Sequence, residues 1–332
     1  MRDDSANALR SAGPAERPSA PALIRHDLVG RGLPALAFPL RNLTLWERRP
    51  QAADARPLLY VHGATFPIAL AFTFRLDGVS WADHLADRGF WPWGLDFAGF
   101  GGSEIDWETL AAEAGPLGRA EDAALQIEAA CRHVLERTKA ARVDLIAHSW
   151  GTLAARLFAA RCPDLLGKLV LFGPIVRRQG PVAAAPAGPW RLITVQDQYD
   201  RFTGYLPPGQ TPVLLDRRFE LWAAAYLESD PQSRDRRPPA VRVPTGPAAD
   251  IAETWSGRRL YDPCRIAAPL AVVRGAWDSL CTDEDAENLL GELVSAPEAR
   301  DIKLPAGTHV MHLEEGRGRL WDAVAAFLNG IG

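Results

Sequence analysis

Three residue types that together make a nucleophile stand far apart in this chain, each where a short apolar run breaks off. Ser149 follows residues 143–148, Asp278 follows 268–275, and His309 follows a run near 300–304. A serine hydroxyl is a poor nucleophile at neutral pH. A histidine that takes its proton, with a carboxylate that fixes the imidazole tautomer and stabilises the imidazolium, makes it a good one. The order serine, aspartate, histidine is the order a nucleophile elbow needs from its partners on a parallel sheet. In such an elbow the serine sits on a strained strand-to-helix turn, and small residues two before and two after let backbone pass closely. Ala147 and Gly151 supply those flanks, with Ala147 where glycine is usual. By itself Ser149 reads equally well as the N-cap of a helix over 150–160, and it is the other strand ends that single it out. A fourth break, His62-Gly63-Ala64, sets the backbone N–H groups of Ala64 and Trp150 to face the oxygen of a tetrahedral intermediate, worth roughly 3 kcal/mol per donor in other systems.

The elements that must position these groups follow a regular plan. Strands are expected at 57–62, within 89–96, at 143–148, 168–172, 268–275 and 300–304, the first of them nearly continuous in apolar residues, as in a parallel strand covered on both faces. Helices are expected at 81–88, 119–137, 150–160, 283–293 and 318–328. In the helix over 119–137, Ala123, Ile127, Ala130, Cys131, Val134 and Leu135 recur at helical spacing. Residues 22–47 read as two or three short strands with turns at Gly30, Gly32 and Pro34. The alternation predicts an α/β fold: a doubly wound, mostly parallel sheet with helices on both faces and functional groups at the carboxyl ends of the strands. From Pro174 to Pro263 the pattern fails, with many prolines, charge clusters and only one or two convincing helices, chiefly 216–228. This stretch reads as an insertion that leaves the sheet and returns.

With 332 residues, 47% hydrophobic, 23% charged and a net charge of −4, the chain can bury a large core and lacks the basic surplus expected of a nucleic-acid or anionic-membrane partner. Cys131, Cys162, Cys264 and Cys281 have no metal-ligand spacing and read as reduced and mostly buried. No metal and no cofactor are expected. Residues 1–21 are polar and rich in Ala, Pro and Ser, without the apolar core of a secretory signal, and no apolar run reaches membrane-spanning length. A soluble cytoplasmic protein with a disordered leader is the expectation. The oligomeric state is not legible. Eleven tryptophans against five tyrosines and two methionines suit thick helix-to-sheet packing or a pocket for an apolar ligand.

The combination of His62-Gly63, the turn from Asp96 to Ser103, Ala147-His148-Ser149-Trp150-Gly151, Gly275-Ala276-Trp277-Asp278 and Gly307-Thr308-His309 resembles the α/β-hydrolase superfamily, over nearly all of the chain from about residue 22. The resemblance implies Ser149 as nucleophile, His309 as base, Asp278 as acid, Ala64 and Trp150 as oxyanion donors, and no cofactor. It implies a structural turn at 96–103, where Ala98 replaces an arginine often found there. It divides the chain into a leader over 1–21, a core over 22–173, an inserted, mainly helical cap over 174–263, and the rest of the core over 264–332. It favours His309 over His312 as the base, because the family pattern carries an acidic residue five positions further on, here Glu314.

A serine at the elbow, rather than aspartate or cysteine, implies transfer of an acyl group to water from an ester, lactone, thioester or amide, or hydrolytic cleavage of a C–C bond in a diketone. The small-molecule substrate is expected to be mid-sized and apolar or aromatic, with Phe66, Thr65, His148, His312 and Trp222 as candidate contacts. Trp190, Phe202, Tyr205, Tyr226 and Trp255 either line the pocket or pack the cap. His62 is expected to be structural, bonding the oxyanion loop. Trp150 after the serine is similar to some proline iminopeptidases, which hold a substrate amine with acidic cap residues, and Glu220 and Glu228 are the candidates. A non-catalytic binding protein on the same fold is the competing class, and a complete triad argues against it.

Overall fold

Short apolar runs that alternate with amphipathic segments become a layered sheet in the computed structural model, which describes residues 22–29, 36, 38–110, 114–181, 184, 186–210, 214 and 216–331. The expected leader over 1–21 and the turns expected at Gly30, Gly32 and Pro34 lie outside the described residues. The elements run β1 (Ile24–Asp27), β2 (Thr44–Glu47), β3 (Arg56–Val61), α1 (Trp81–Ala86), β4 (Phe90–Leu95), α2 (Ala120–Thr138), β5 (Val143–His148), α3 (Gly151–Arg161) and β6 (Leu166–Phe172). They continue with β7 (Trp190–Thr194), α4 (Val195–Gly204), α5 (Asp216–Glu228), β8 (Ala240–Pro244), α6 (Gly246–Trp255), β9 (Leu270–Gly275), α7 (Asp283–Glu292), β10 (Ala299–Leu304) and α8 (Arg317–Asn329).

The main sheet has the order β1-β2-β4-β3-β5-β6-β9-β10 among the described residues. Only β2 runs against its neighbours; the other pairings are parallel. Every residue of β5 and β9 is buried, as is β3 after its first residue, which is why these runs are apolar without alternation. Right-handed crossovers put α1, which carries the chain from β3 to β4, on the face opposite α2, α3 and α7, which carry it the other way. α8 packs on α1, and α2 packs on α3. The reversal of direction around β3 makes the ends of β3 and β5 a topological switch point, where the loop after Val61 and the turn at Ser149 come together.

Between β6 and β9 the chain leaves this sheet. β7 and β8 form a separate antiparallel pair, with α4 and α5 between them and α6 after them. The sequence predicts one or two helices there, chiefly α5; the described residues hold three, and the β7–β8 pair is additional. This excursion is fastened to the core by buried aromatic rings. Trp222 of α5 donates its indole N–H to the Leu70 carbonyl at 2.9 Å and meets Phe66 edge-on at 5.3 Å, while Phe202 of α4 meets Phe66 at 5.9 Å.

The four cysteines are unpaired; Cys131 and Cys281 are buried, Cys162 is half-buried and Cys264 exposed, so burial is less general than the sequence suggests. No helix among the described residues is long and apolar enough to cross a membrane. No group of three or more His, Cys, Asp or Glu side chains among the described residues could hold a metal ion.

Candidate active site

Ser149 follows β5 with φ +54°, a left-handed conformation that costs a non-glycine residue roughly 1–2 kcal/mol. The strain is supported on both sides. The Ser149 amide donates to the Phe172 carbonyl at 2.9 Å, and α3 begins immediately afterwards. The helix takes Trp150, not Ser149, as its N-cap, so the capping reading of Ser149 does not hold. Gly151 is needed because a Cβ there would meet the His62 carbonyl oxygen at 2.3 Å.

His309 lies between the other two groups. Its Nε2 is 2.7 Å from Ser149 Oγ, and its Nδ1 is 3.0 and 3.1 Å from the two oxygens of Asp278. The carboxylate can only accept, so Nδ1 carries the proton and Nε2 accepts from the serine hydroxyl. Asp278 is held in turn by the Leu280 and Cys281 amides, at 2.9 and 3.2 Å. The loop presenting His309 is pinned by Glu314, whose carboxylate accepts from the Thr308 amide at 3.1 Å and from its hydroxyl. All three members are buried, with Ser149 the most accessible at 7%.

The loop after β3 passes beside the elbow: a Cβ on Gly63 would lie 3.0 Å from that of Ser149. The amides of Ala64 and Trp150 donate to no group of the described residues. His62 accepts from the Phe97 amide at Nε2 (3.0 Å), so its Nδ1 donates to the Gly63 carbonyl at 2.8 Å. It fixes the loop as expected, and burial pushes its pKa down to about 4, which keeps it neutral. Asp96 secures the other side of the same loop, accepting from the Ile68 and Gly102 amides and the Trp46 indole at 3.0, 3.0 and 2.9 Å. The turn at 96–103 is thus structural, as expected.

Two further histidines border the triad. His148 donates from Nε2 to the His309 carbonyl at 3.0 Å, and its Nδ1 has no partner among the described residues. His312 has none at either nitrogen, although it is 98% buried between Phe66, Phe172 and His148. Burial, reinforced by His309, pushes the pKa of His312 down to about 3. Burial, then His312 and His309, lowers that of His148 well below its usual value. Both imidazoles are neutral and hold protons weakly, so neither competes for the proton of Ser149; the free Nδ1 of His148 can only accept a hydrogen bond, whereas His312 has a donor and an acceptor to give.

The remaining candidates separate. Phe66 and Thr65 are buried in the loop beside the elbow; Thr65 accepts a hydrogen bond from Arg201 at 2.6 Å. Trp222 reaches the site only through Phe66, its N–H being committed to Leu70. Tyr205 meets the His309 ring at 5.4 Å, but Tyr226 stacks behind Trp222, Trp255 lies under Arg178, and Trp190 under Arg242. Glu220 and Glu228 are exposed on α5.

Sequence reading missed three participants. Gly173, at the end of β6, has φ +52°, and a Cβ there would lie 2.9 Å from Asp278 Oδ2 and 3.0 Å from His309 Nδ1. Asp250 of α6 accepts from the Trp150 indole at 2.9 Å, the Ala120 amide at 2.7 Å and Arg119 at 2.5 Å, which ties the residue after Ser149 to the excursion. Arg201 of α4 touches the loop itself. A capping box, Thr194 with Asp197, marks the start of α4 in the sequence, but nothing local shows where that helix docks.

Solved structures similar to this one include an esterase from Thermogutta terrifontis, at 19% identity and TM-score 0.58, covering 92% of this chain and 98% of that one. A serine hydrolase from the polyaromatic-hydrocarbon-degrading bacterium Cycloclasticus zankles is similar at 16% identity and TM-score 0.62, over 93% and 99%. An E-2-(acetamidomethylene)succinate hydrolase is similar at 17% identity and TM-score 0.57, over 93% and 100%. At these identities the likeness is one of fold. No curated protein matches the sequence. The family model described as serine aminopeptidase, S33, matches residues 79–316, a span that contains Ser149, Asp278 and His309. With most of its length so matched, this chain is a hydrolase that belongs to the serine aminopeptidase S33 family, within the α/β-hydrolase superfamily.

Proposed function

We propose that this hydrolase cleaves a carboxylic ester, lactone or similar acyl bond of a mid-sized apolar or aromatic small molecule, through Ser149, His309, Asp278 and an acyl-enzyme. The observation that carries the reading is the single imidazole bridging Ser149 Oγ at 2.7 Å and Asp278 at 3.0 Å, with the serine on a strained elbow. His309 Nε2 takes the hydroxyl proton as Oγ attacks the carbonyl carbon, and Asp278 stabilises the imidazolium. The amides of Ala64 and Trp150 receive the oxyanion. His309 then gives its proton to the leaving group, and the acyl group stays on Ser149. Water attacks that carbonyl carbon, His309 takes the water proton and returns it to Oγ, and the carboxylic acid departs.

Residues 174–263 act in this reading as a cap that selects the substrate, between core segments 22–173 and 264–332, with Phe66, Thr65, His148 and His312 as wall and Trp222 backing Phe66. An ester is favoured over the α-amine of a peptide because the excursion sets a cation, Arg201, at the loop, while Glu220 and Glu228 face outward. Turnover of a short 4-nitrophenyl ester, an amino-acid 4-nitroanilide and a vinylogous diketone, compared on one preparation, tests the reaction class. The expected result is ester hydrolysis that His309→Ala abolishes and that His312→Leu reduces no more than about tenfold. Faster release from the anilide, or the reverse order of the two histidine variants, would overturn the assignment.

A further inference from the structure

Arg201 of α4 lies one turn before Tyr205, the residue that follows the helix, and both reach the site: Tyr205 meets the His309 ring, and Arg201 Nη1 donates to Thr65 Oγ1 at 2.6 Å and to Gln198 Oε1 at 3.1 Å. Thr65 is the residue after Ala64. Both bonds leave from Nη1, so Nε and Nη2 are uncommitted among the described residues. No carboxylate among the described side chains forms an ion pair with Arg201.

Three other buried or half-buried arginines are treated differently, although Arg242 too lacks an ion pair and leaves its Nε without a partner among the described residues. Arg178 grips Asp285 with Nε and Nη2 at 2.9 and 2.6 Å, and Arg317 meets Asp77 at 2.6 Å. Arg156, fully buried without an acid, places each of its three nitrogens on an oxygen, of Thr152, Ile175 or Tyr261. Arg201 alone of these four has neither an acid nor a full set of acceptors. Arg191 of β7, an exposed cation offset by Asp197, also feels the charge of Arg201. The same charge reaches His148, behind the larger effects of burial, His312 and His309. The Nε–Nη2 edge of Arg201 is thus open to an arriving anion.

We propose that the substrate carries a carboxylate, bound by the Nε–Nη2 fork of Arg201 beside the oxyanion loop. That edge presents two parallel donors at the spacing of the two carboxylate oxygens, a match an ammonium group cannot make. The substrate class is then a half-ester of a dicarboxylic acid, or an ester whose leaving group bears the carboxylate. This inference rests on the reading of Ser149 as nucleophile.

The test compares kcat/KM for two pairs of esters: mono-4-nitrophenyl glutarate with 4-nitrophenyl hexanoate, and 4-acetoxybenzoate with 4-methylphenyl acetate. The readout is the anionic-to-neutral ratio in Arg201→Gln relative to the unmodified protein, which cancels intrinsic ester reactivity. A fall of at least tenfold in either pair, restored only in part by the point charge of Arg201→Lys, is the expected result. Ratios within threefold of the unmodified protein in both pairs would overturn the proposal and leave Arg201 as a clasp on Thr65. Calorimetry with glutarate on Ser149→Ala and on Ser149→Ala with Arg201→Gln gives an answer that needs no catalysis. Binding weakened at least tenfold by the second substitution supports the proposal, and equal or undetectable binding in both contradicts it. Failure of the nucleophile reading is separate, since it shows as an absence of fluorophosphonate labelling at Ser149 while the calorimetric comparison still stands.

Discussion

Replacing Gly173 by alanine should damage catalysis without replacing any reacting group. The glycine has φ +52°, so alanine there carries about 1–2 kcal/mol of left-handed strain. Its new Cβ would stand 2.9 Å from Asp278 Oδ2 and 3.0 Å from His309 Nδ1, where ordinary contacts begin at 3.4 Å. Both groups must therefore retreat by about half an ångström, and the hydrogen bond that sets the imidazole lengthens or turns. A misplacement of ~1 Å costs on the order of a hundredfold in rate, so about tenfold is expected here, or ~1.4 kcal/mol in the barrier. The loss should fall on kcat rather than KM, because the methyl group presses on the acid–base pair and not on the pocket. Initial rates on a short 4-nitrophenyl ester measure it, with denaturant unfolding measured alongside. Gly89→Ala is the control: φ there is +84° with nothing within 4 Å of where the new Cβ would stand, so it should share the stability loss and keep its activity. A Gly173→Ala protein within twofold of normal kcat, or a Gly89→Ala protein equally impaired in activity, would refute the reasoning.

Other expectations are more direct. Asp250→Ala leaves the Trp150 indole, the Ala120 amide and Arg119 without their common acceptor, and should cost about 3–5 kcal/mol in denaturant unfolding; a loss below about 1 kcal/mol would mean the cluster is solvated. Acid should destabilise the fold through its buried histidines. With His312 at about 3 and His62 at about 4 when folded, against ~6.5 unfolded, the unfolded chain binds more protons below pH 6.5, so stability falls as pH drops through that value towards 3–4. Between pH 7 and 5 each histidine contributes about 2 kcal/mol to that fall. His312→Leu should remove one such share, and an unchanged pH slope in that variant would contradict the burial argument.

The core was readable from sequence because its signals are local. Strands such as β5 and β9 are apolar throughout since both faces are covered, and Ser149, Asp278 and His309 each stand where such a run stops. Even the preference for His309 over His312 agrees with a local feature, Glu314 clamping Thr308. The excursion was less legible for the opposite reason. Trp190–Thr194 pairs with Ala240–Pro244 across some forty-five residues, and three of the five β7 residues are exposed, so no alternation marks it. α4 is polar, and its importance lies in where Arg201 and Tyr205 land, a tertiary fact. Gly173 read as the end of a pattern, whereas its role is to leave room behind the imidazole. The Trp150 ring, open to several readings from sequence, is a buried donor to Asp250, joining the elbow to α6.

The central claim is that Ser149 is the nucleophile activated by His309. Incubation with a fluorophosphonate followed by peptide-resolved mass spectrometry tests it most directly. The account predicts a single adduct on the peptide holding Ser149, absent in Ser149→Ala and strongly slowed in His309→Ala. An adduct on another residue, or labelling that persists in Ser149→Ala, would contradict it.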